Sequence, residues 1–292
     1  MKTVVAVGGF ASLHKGHMDL LEKTVELAQM YIAESCVLTF NSALDRHKGA
    51  VDFMSIEQRI ALMEKTGISR VNVQSFDEKF KSLSPEEFVS EILIKQFECI
   101  GVVVGENFRF GKNASGDTET LKKLCAQNGI ECFVLPLRKD EEGKTISTTR
   151  IVELAKNGDA EKVAELLGRP LTIEGEVIHG RHDGTKIGFP TVNIKNVQGA
   201  VTPGKGVYIS ETEVDGKMHP SVTNIGNAPT FDSADELTET HIIGIDKNLY
   251  GKCVKINVYK KIRDITKFSS IEELKNQLES DVSTTVEYFE KQ

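Results

Sequence analysis

Two short segments carry residue types suited to phosphate chemistry. The first is residues 8–21, GGFASLHKGHMDLL, where His14 and His17 stand three apart around Gly16, after a β-branched run and ahead of apolar residues at helical spacing. Backbone N–H groups and the positive dipole end make a helix N-terminus attractive to phosphate. Imidazoles placed there can donate hydrogen bonds to charge developing on a phosphate, and a glycine lets the backbone approach closely. An HxxH pair also serves as a helix cap or a metal half-site, but no third ligand stands at a spacing that would complete a zinc site. The second segment is residues 184–193, GTKIGFPTVN, in which Thr191 and Asn193 are separated by one residue. On a strand they share one face. Paired side-chain oxygens suit Mg²⁺, which takes a few protein oxygens together with waters and substrate phosphates.

The first segment needs a strand and a helix to place it, and the sequence supplies both. Residues 3–8 (TVVAVG) form a short strand, and Leu20, Leu21, Val25 and Ala28 recur at helical spacing. Further buried strands are expected at residues 35–40, 70–75, 100–104 and 131–135. Ser55 with Gln58 and the run Ser84-Pro85-Glu86-Glu87 read as helix starts between them. This alternation predicts a parallel sheet, with function at the carboxyl ends of its strands. A polar turn at residues 138–144 (RKDEEGK) and a pair of helices through Leu167 follow, and Gly168-Arg169-Pro170 marks the boundary. The expectation is an α/β first domain over residues 1–167 and an all-β second domain over residues 168–292. In the latter, strands at residues 171–178, 190–195, 206–214, 220–225, 238–245 and 252–260 are separated by Gly, Asn, Asp and Pro clusters, which predicts an antiparallel barrel or sandwich. Ser270 with Glu273 caps a final helix.

Composition narrows the classes of function. With 292 residues, 39% apolar and 27% charged, the chain has ordinary globular content and length for two domains. A formal net charge of −7 argues against a broad nucleic-acid footprint while leaving room for local cationic pockets that hold small anions. The five cysteines are scattered, without CxxC or Cys/His ligand spacing, which fits a reducing compartment. No apolar run is long enough to span a membrane, and the N-terminus lacks the pattern of a signal peptide, so the expected location is the cytoplasm.

The motifs carry a family resemblance. His14-Lys15-Gly16-His17 after a glycine-rich strand end resembles the HxGH signature of the nucleotidyltransferase superfamily. Residues 102–117 (VVVGENFRFGKNASGD) and 146–151 (ISTTRI) resemble the later ATP and flavin motifs of the prokaryotic FAD synthetase family, the bifunctional riboflavin kinases/FMN adenylyltransferases. The PTVN segment is similar to the PTxN motif of riboflavin kinase. The likeness continues through Gly206-Val207-Tyr208, residues 224–231, 239–241 and 249–251, and the stretch from Arg263 to Phe268. The resemblance implies a Rossmann-like nucleotidyltransferase domain followed by a riboflavin-kinase-like β-barrel with a terminal helix. It implies Mg²⁺ as cofactor, ATP as co-substrate, and riboflavin, FMN and FAD as substrates and products. His14 and His17 would then contact the ATP phosphates, with Gly8, Phe10 and Gly16 in the same loop. Asn107, Phe110 and Asp117 would lie at the nucleotide or flavin site, and Ser147, Thr148 and Arg150 would bind the triphosphate. In the second half, Thr191 and Asn193 would hold ATP-bound Mg²⁺, Gly184, Gly188, Pro190 and Arg263 would line the site, and Glu239 would act as general base toward the ribityl hydroxyl. The chain departs from the family pattern at Ala11-Ser12, where Asp-Gly is usual, at Asn41-Ser42-Ala43 in place of a Pro-rich turn, and at Thr185 and Ala228, where basic residues are common. Two rival readings stand beside the bifunctional one: an adenylyltransferase with an inactive kinase-like barrel, and a non-catalytic flavin-responsive binding protein.

Overall fold

The computed structural model describes residues 1–41, 53–179, 187–196, 201–227 and 236–291. Ser42, Ala43, Gly184, Thr185 and Ala228 therefore lie outside the described residues. The chain divides into two compact units, Met1–Thr148 and Thr149–Gln292.

The first unit is built on a parallel sheet of β1 (Thr3–Val7), β2 (Glu34–Phe40), β3 (Arg70–Gln74), β4 (Cys99–Gly105) and β5 (Glu131–Leu135), in the order β3-β2-β1-β4-β5. Both faces are covered, which is why its central strands read as continuous apolar runs rather than as alternating ones. Val4, Ala6, Val37 and Val103 face one core, with Leu20, Leu21 and Leu27 of α1 (Lys15–Met30) and Met63 of α2 (Ile56–Glu64). Val5, Val7, Leu38, Val102 and Val104 face the other, against Phe88, Val89 and Leu93 and against Leu121 and Cys125 of α5 (Thr118–Gln127). The short α3 (Glu78–Lys81) precedes the second of two complete capping boxes, Ser55 with Gln58 and Ser84 with Glu87. The helix opened by Ser84 keeps α geometry only over Pro85–Glu87 (α4) and continues as a π-helix over Phe88–Gln96, where spacing alone predicts an α-helix. The strand order reverses between β1 and β4, so the loops leaving their carboxyl ends diverge and open a crevice there.

In the second unit, β6 (Leu171–Ile178), β7 (Val192–Asn196), β8 (Gly206–Val214), β9 (Lys217–Asn227), β10 (Glu236–Ile242) and β11 (Cys253–Arg263) close an antiparallel barrel in the order β10-β7-β6-β11-β8-β9. Ile173, Ile194, Tyr208, Ile225 and Ile256 fill its interior. A ladder of fully buried hydroxyls runs across three strands, with Ser210 bonded to Ser221 and Thr223, and Thr223 bonded to Thr240. These polar groups tolerate burial because each finds a partner in the next strand. A closing helix, α8 (Ile271–Glu290), begins at the expected cap, Ser270, whose hydroxyl accepts the Glu273 N–H at 3.1 Å.

The helices α6 (Thr148–Lys156) and α7 (Ala160–Leu167), which the sequence reading grouped with the first domain, fall almost entirely in the second compact unit. Ala160 joins the barrel core, Glu161 pairs with Lys260 of β11 at 3.0 Å, and Gly204 lies so close to the Lys156 carbonyl that a Cβ there has no room. Among the described residues, no helix is long and apolar enough to cross a membrane.

Candidate active site

A cleft of about 860 Å³ opens at the carboxyl ends of β1 and β4, and its wall includes Gly8, Phe10, His14, Gly16, His17, Asn107, Phe110, Ser147 and Thr148. The loop after β1 delivers the two histidines. His14 is the N-cap of α1, with its ring Nδ1 accepting the His17 N–H at 3.2 Å, and the two imidazoles stack with centroids 3.7 Å apart and planes 10° from parallel. The cap and the candidate site are thus one arrangement. Phe10 meets His17 edge-on at 5.3 Å and is only 1% exposed. Phe10 (φ 47°) and Leu13 (φ 45°) both adopt left-handed backbone, which is costly for bulky residues and persists where surrounding packing enforces it. Two contacts, both at Gly9, tie down this loop, and a third fixes Arg59 to the end of β2. Buried Arg59 donates to the carbonyls of Gly9 and Phe40 at 3.0 Å each, and Thr39 Oγ1 donates to the Gly9 carbonyl at 3.0 Å. Ser12, at one of the departures from the family pattern, is buried and hydrogen-bonds Thr148 Oγ1 at 2.9 Å, joining the histidine loop to the ISTT segment.

Part of the same cleft wall is aromatic. Phe40, Phe80, Phe88, Phe110 and Phe108 follow one another with centroids 5.2–6.2 Å apart, so Phe110 is a core residue and a cleft wall at once. Lys81, Arg109 and Arg138 add positive charge to the lining. Sequence reasoning missed these cations, because a charged turn such as RKDEEGK reads by itself as a solvated face. Two expected residues are not on the cleft wall. Asp117 is the N-cap of α5, accepting the Thr120 N–H and hydroxyl at 2.9 Å each, and these bonds hold its carboxyl below the usual carboxylate range. Arg150 sits in the first turn of α6, within the second unit.

The barrel gathers a second set. Gly188 adopts φ +92°, a conformation that favours glycine, and turns the chain into Phe189-Pro190-Thr191. His241 Nδ1 lies 2.8 Å from the Pro190 carbonyl and anchors this segment to β10. Thr191 Oγ1 donates to Glu239 Oε1 at 2.7 Å. Glu239 stands in register opposite Asn193 of β7 on one side and Asn224 of β9 on the other. The alternate positions Ile194, Thr238 and Ile225 are buried, with Ile194 and Ile225 in the barrel core, so Asn193, Glu239 and Asn224 form a row on the outer face. Pro190 and Thr191 also line a pocket of about 300 Å³ with Ile242, Leu249 and Tyr250. The donor set of Thr191, Asn193 and Glu239 is all oxygen and hard, the type that suits Mg²⁺.

Arg263 stands in the same cross-strand row, opposite Val207 of β8, which in turn faces Asn224. The Nε and Nη2 of Arg263 donate to the Asp281 carboxylate of α8 at 2.8–3.1 Å, Gln277 donates to the same carboxylate at 2.9 Å, and the guanidinium lies 5.7 Å from the Phe268 ring. Asp281 is 3% exposed, so this pair fastens the closing helix to the end of β11. Replacing one partner of a buried pair strands the other charge, at about 3–5 kcal/mol. Asp281→Asn is accordingly expected to lower the stability of the barrel unit by about 3 kcal/mol, measured as a shift of the urea midpoint at unchanged slope; a midpoint equal to that of the unsubstituted protein would assign the pair no structural weight.

Comparison with known proteins identifies the two domains. The FAD synthetase family model matches residues 1–150, and the riboflavin kinase family model matches residues 167–289. A bifunctional riboflavin kinase/FMN adenylyltransferase of Bacillus subtilis is 33% identical over 99% of this chain and 93% of its own length, and one of Escherichia coli K12 is 31% identical over 98% and 92%. A crystal structure described as a macrolide-efflux protein from Streptococcus pneumoniae shares the fold with a TM-score of 0.90 and 29% identity, over 97% of this chain and 93% of that one. Carrying both domains in series and aligning with such relatives over nearly its whole length, the chain belongs to the bifunctional riboflavin kinase/FMN adenylyltransferase family.

Proposed function

We infer that the chain makes both flavin cofactors: riboflavin and ATP give FMN and ADP, and FMN and a second ATP give FAD and pyrophosphate. Membership of the family supports both activities, and the residue roles within them are our proposal. The observation that carries it is the pairing of a stacked histidine couple at a helix N-terminus with an aromatic wall in one cleft, which offers one end to phosphates and the other to a planar ring. For adenylyl transfer, an FMN phosphate oxygen attacks the α-phosphorus of ATP and the bond to the pyrophosphate oxygen breaks. The step needs alignment and charge neutralisation, and no covalent enzyme intermediate. His14 and His17 with the first turn of α1 receive the phosphates, Ser147 and Thr148 hold the triphosphate from the opposite loop, and Asn107 with the phenylalanines orients the flavin or nucleotide.

For the kinase step, the ribityl 5′-hydroxyl attacks the γ-phosphorus and ADP leaves. Glu239 takes the hydroxyl proton, and its bond from Thr191 fixes the carboxylate orientation. Thr191 and Asn193 are the residues that would hold Mg²⁺, which when bound neutralises charge on the ATP phosphates. Functionally we divide the chain at 167/168, with α6 and α7 as the connecting pair. We place the protein in the cytoplasm, a reading supported by cysteines that are all free, three of them buried.

Chromatographic separation of flavins tests the scheme, with the purified protein given ATP and Mg²⁺ and either riboflavin or FMN. FAD from both acceptors is expected. FAD from FMN alone would leave the barrel without kinase activity, and flavin binding without any product would make the protein a sensor.

A further inference from the structure

The cleft of the first unit contains an arginine that neither signature segment includes. Arg138 follows β5 in a segment that folds back on itself: the Ile146 N–H donates to the Arg138 carbonyl at 2.9 Å, and Lys139 and Thr145 form an antiparallel bridge. Asp140 closes the turn by accepting the N–H groups of Glu142 and Lys144 at 3.0 and 2.9 Å. This hairpin sets Arg138 across from Ile146, next to Ser147 and Thr148 on the cleft wall. On its other side Arg138 reaches α1. A Cβ built on Gly16 would stand 3.3 Å from Arg138 Cβ and 3.3 Å from the His14 ring, a tight fit that the glycine relieves where the two approach. The guanidinium donates from Nη1 to Asp19 Oδ1 at 2.5 Å, two residues past His17.

Arg138 is thus bracketed by the histidine pair and the Ser147-Thr148 segment, the two groups to which phosphate binding is assigned. Guanidinium offers five donors in a rigid fork that matches phosphate oxygens bidentately. One of them is used by Asp19, which restrains the plane of the group and leaves the others for a ligand. We propose that Arg138 contacts the triphosphate of ATP during adenylyl transfer and that Asp19 is its positioning residue. The inference rests on the adenylyltransferase reading of this cleft. As the bond between the α-phosphorus and the bridging oxygen breaks, negative charge moves onto the departing pyrophosphate, and a fixed cation beside it stabilises that charge.

The test is steady-state FAD formation from FMN by the full chain at varied ATP, with FMN formation from riboflavin measured in parallel. Arg138→Ala is expected to lower kcat/KM for ATP in the adenylyl step about tenfold or more, with kcat falling at least as much as KM rises, and to leave the kinase step within about twofold. Arg138→Lys keeps the charge and loses the fork, so it should fall between the two. Asp19→Asn should lower kcat/KM for ATP about threefold, and that effect should vanish when Arg138 is already alanine, a coupling that separate structural roles would not produce. Adenylyl parameters of Arg138→Ala within about twofold of the unsubstituted protein would overturn the proposal. If the alanine variant loses both activities together, Arg138→Gln is judged by the same limits. An unsubstituted protein that makes no FAD from FMN would remove the adenylyltransferase reading itself, which distinguishes that failure from a failure of Arg138.

Discussion

His17→Ala should cut FAD formation from FMN by about 10²–10³, the effect of removing one aligned donor from developing charge, while FMN formation from riboflavin stays within about twofold. The imidazole of His17 has a fixed place: it stacks on His14 at 3.7 Å, meets the edge of Phe10 at 5.3 Å and lines the cleft at the first turn of α1. The loss should appear in kcat more than in KM, because charge on the phosphates grows toward the transition state. His14 also caps α1 through its ring, so His14→Ala adds about 1 kcal/mol of helix destabilisation to any catalytic loss. Because the two rings touch, their effects should not add; the double variant should be only slightly slower than His17→Ala alone. The measurement is the initial rate of FAD accumulation at saturating FMN. Equal rates for His17→Ala and the unsubstituted protein would take His17 out of the site.

The converse pattern belongs to the barrel. Glu239→Gln keeps the size of the side chain and an oxygen that can still accept from Thr191, but it removes the ability to take a proton. FMN formation should fall by about 10²–10⁴, the range for loss of a positioned general base, with FAD formation from supplied FMN unchanged. A riboflavin kinase rate that survives the substitution would reduce Glu239 to a partner of Thr191. Together the two variants separate the activities: given riboflavin, His17→Ala should accumulate FMN, and Glu239→Gln should accumulate neither product.

Much of this arrangement was legible in the chain itself. The apolar run of β1, the glycines after it and the spacing of Leu20, Leu21 and Ala28 specify strand, loop and helix, so His14 and His17 had to fall at a helix start. The caps at Ser55, Ser84 and Ser270 occur as their spacing requires, because a capping bond is made within four residues and needs no tertiary partner. The same locality put Thr191 and Asn193 at alternate positions and set Gly168 at the end of a helix.

Other features depend on residues far apart in sequence, and only the folded chain decided them. Arg263 is held by Asp281, 18 residues on. The helices α6 and α7 carry ordinary amphipathic patterns, which say that one face is buried and not against which sheet; contacts with the barrel settled it. Ser12 meets Thr148 across 136 residues, Thr191 meets Glu239 across 48, and Arg138 meets Asp19 across 119. The physical reason is that periodicity and capping report the energy of neighbouring residues along the chain, whereas a cleft is assembled by strand order and loop closure, which bring together side chains that no local pattern relates.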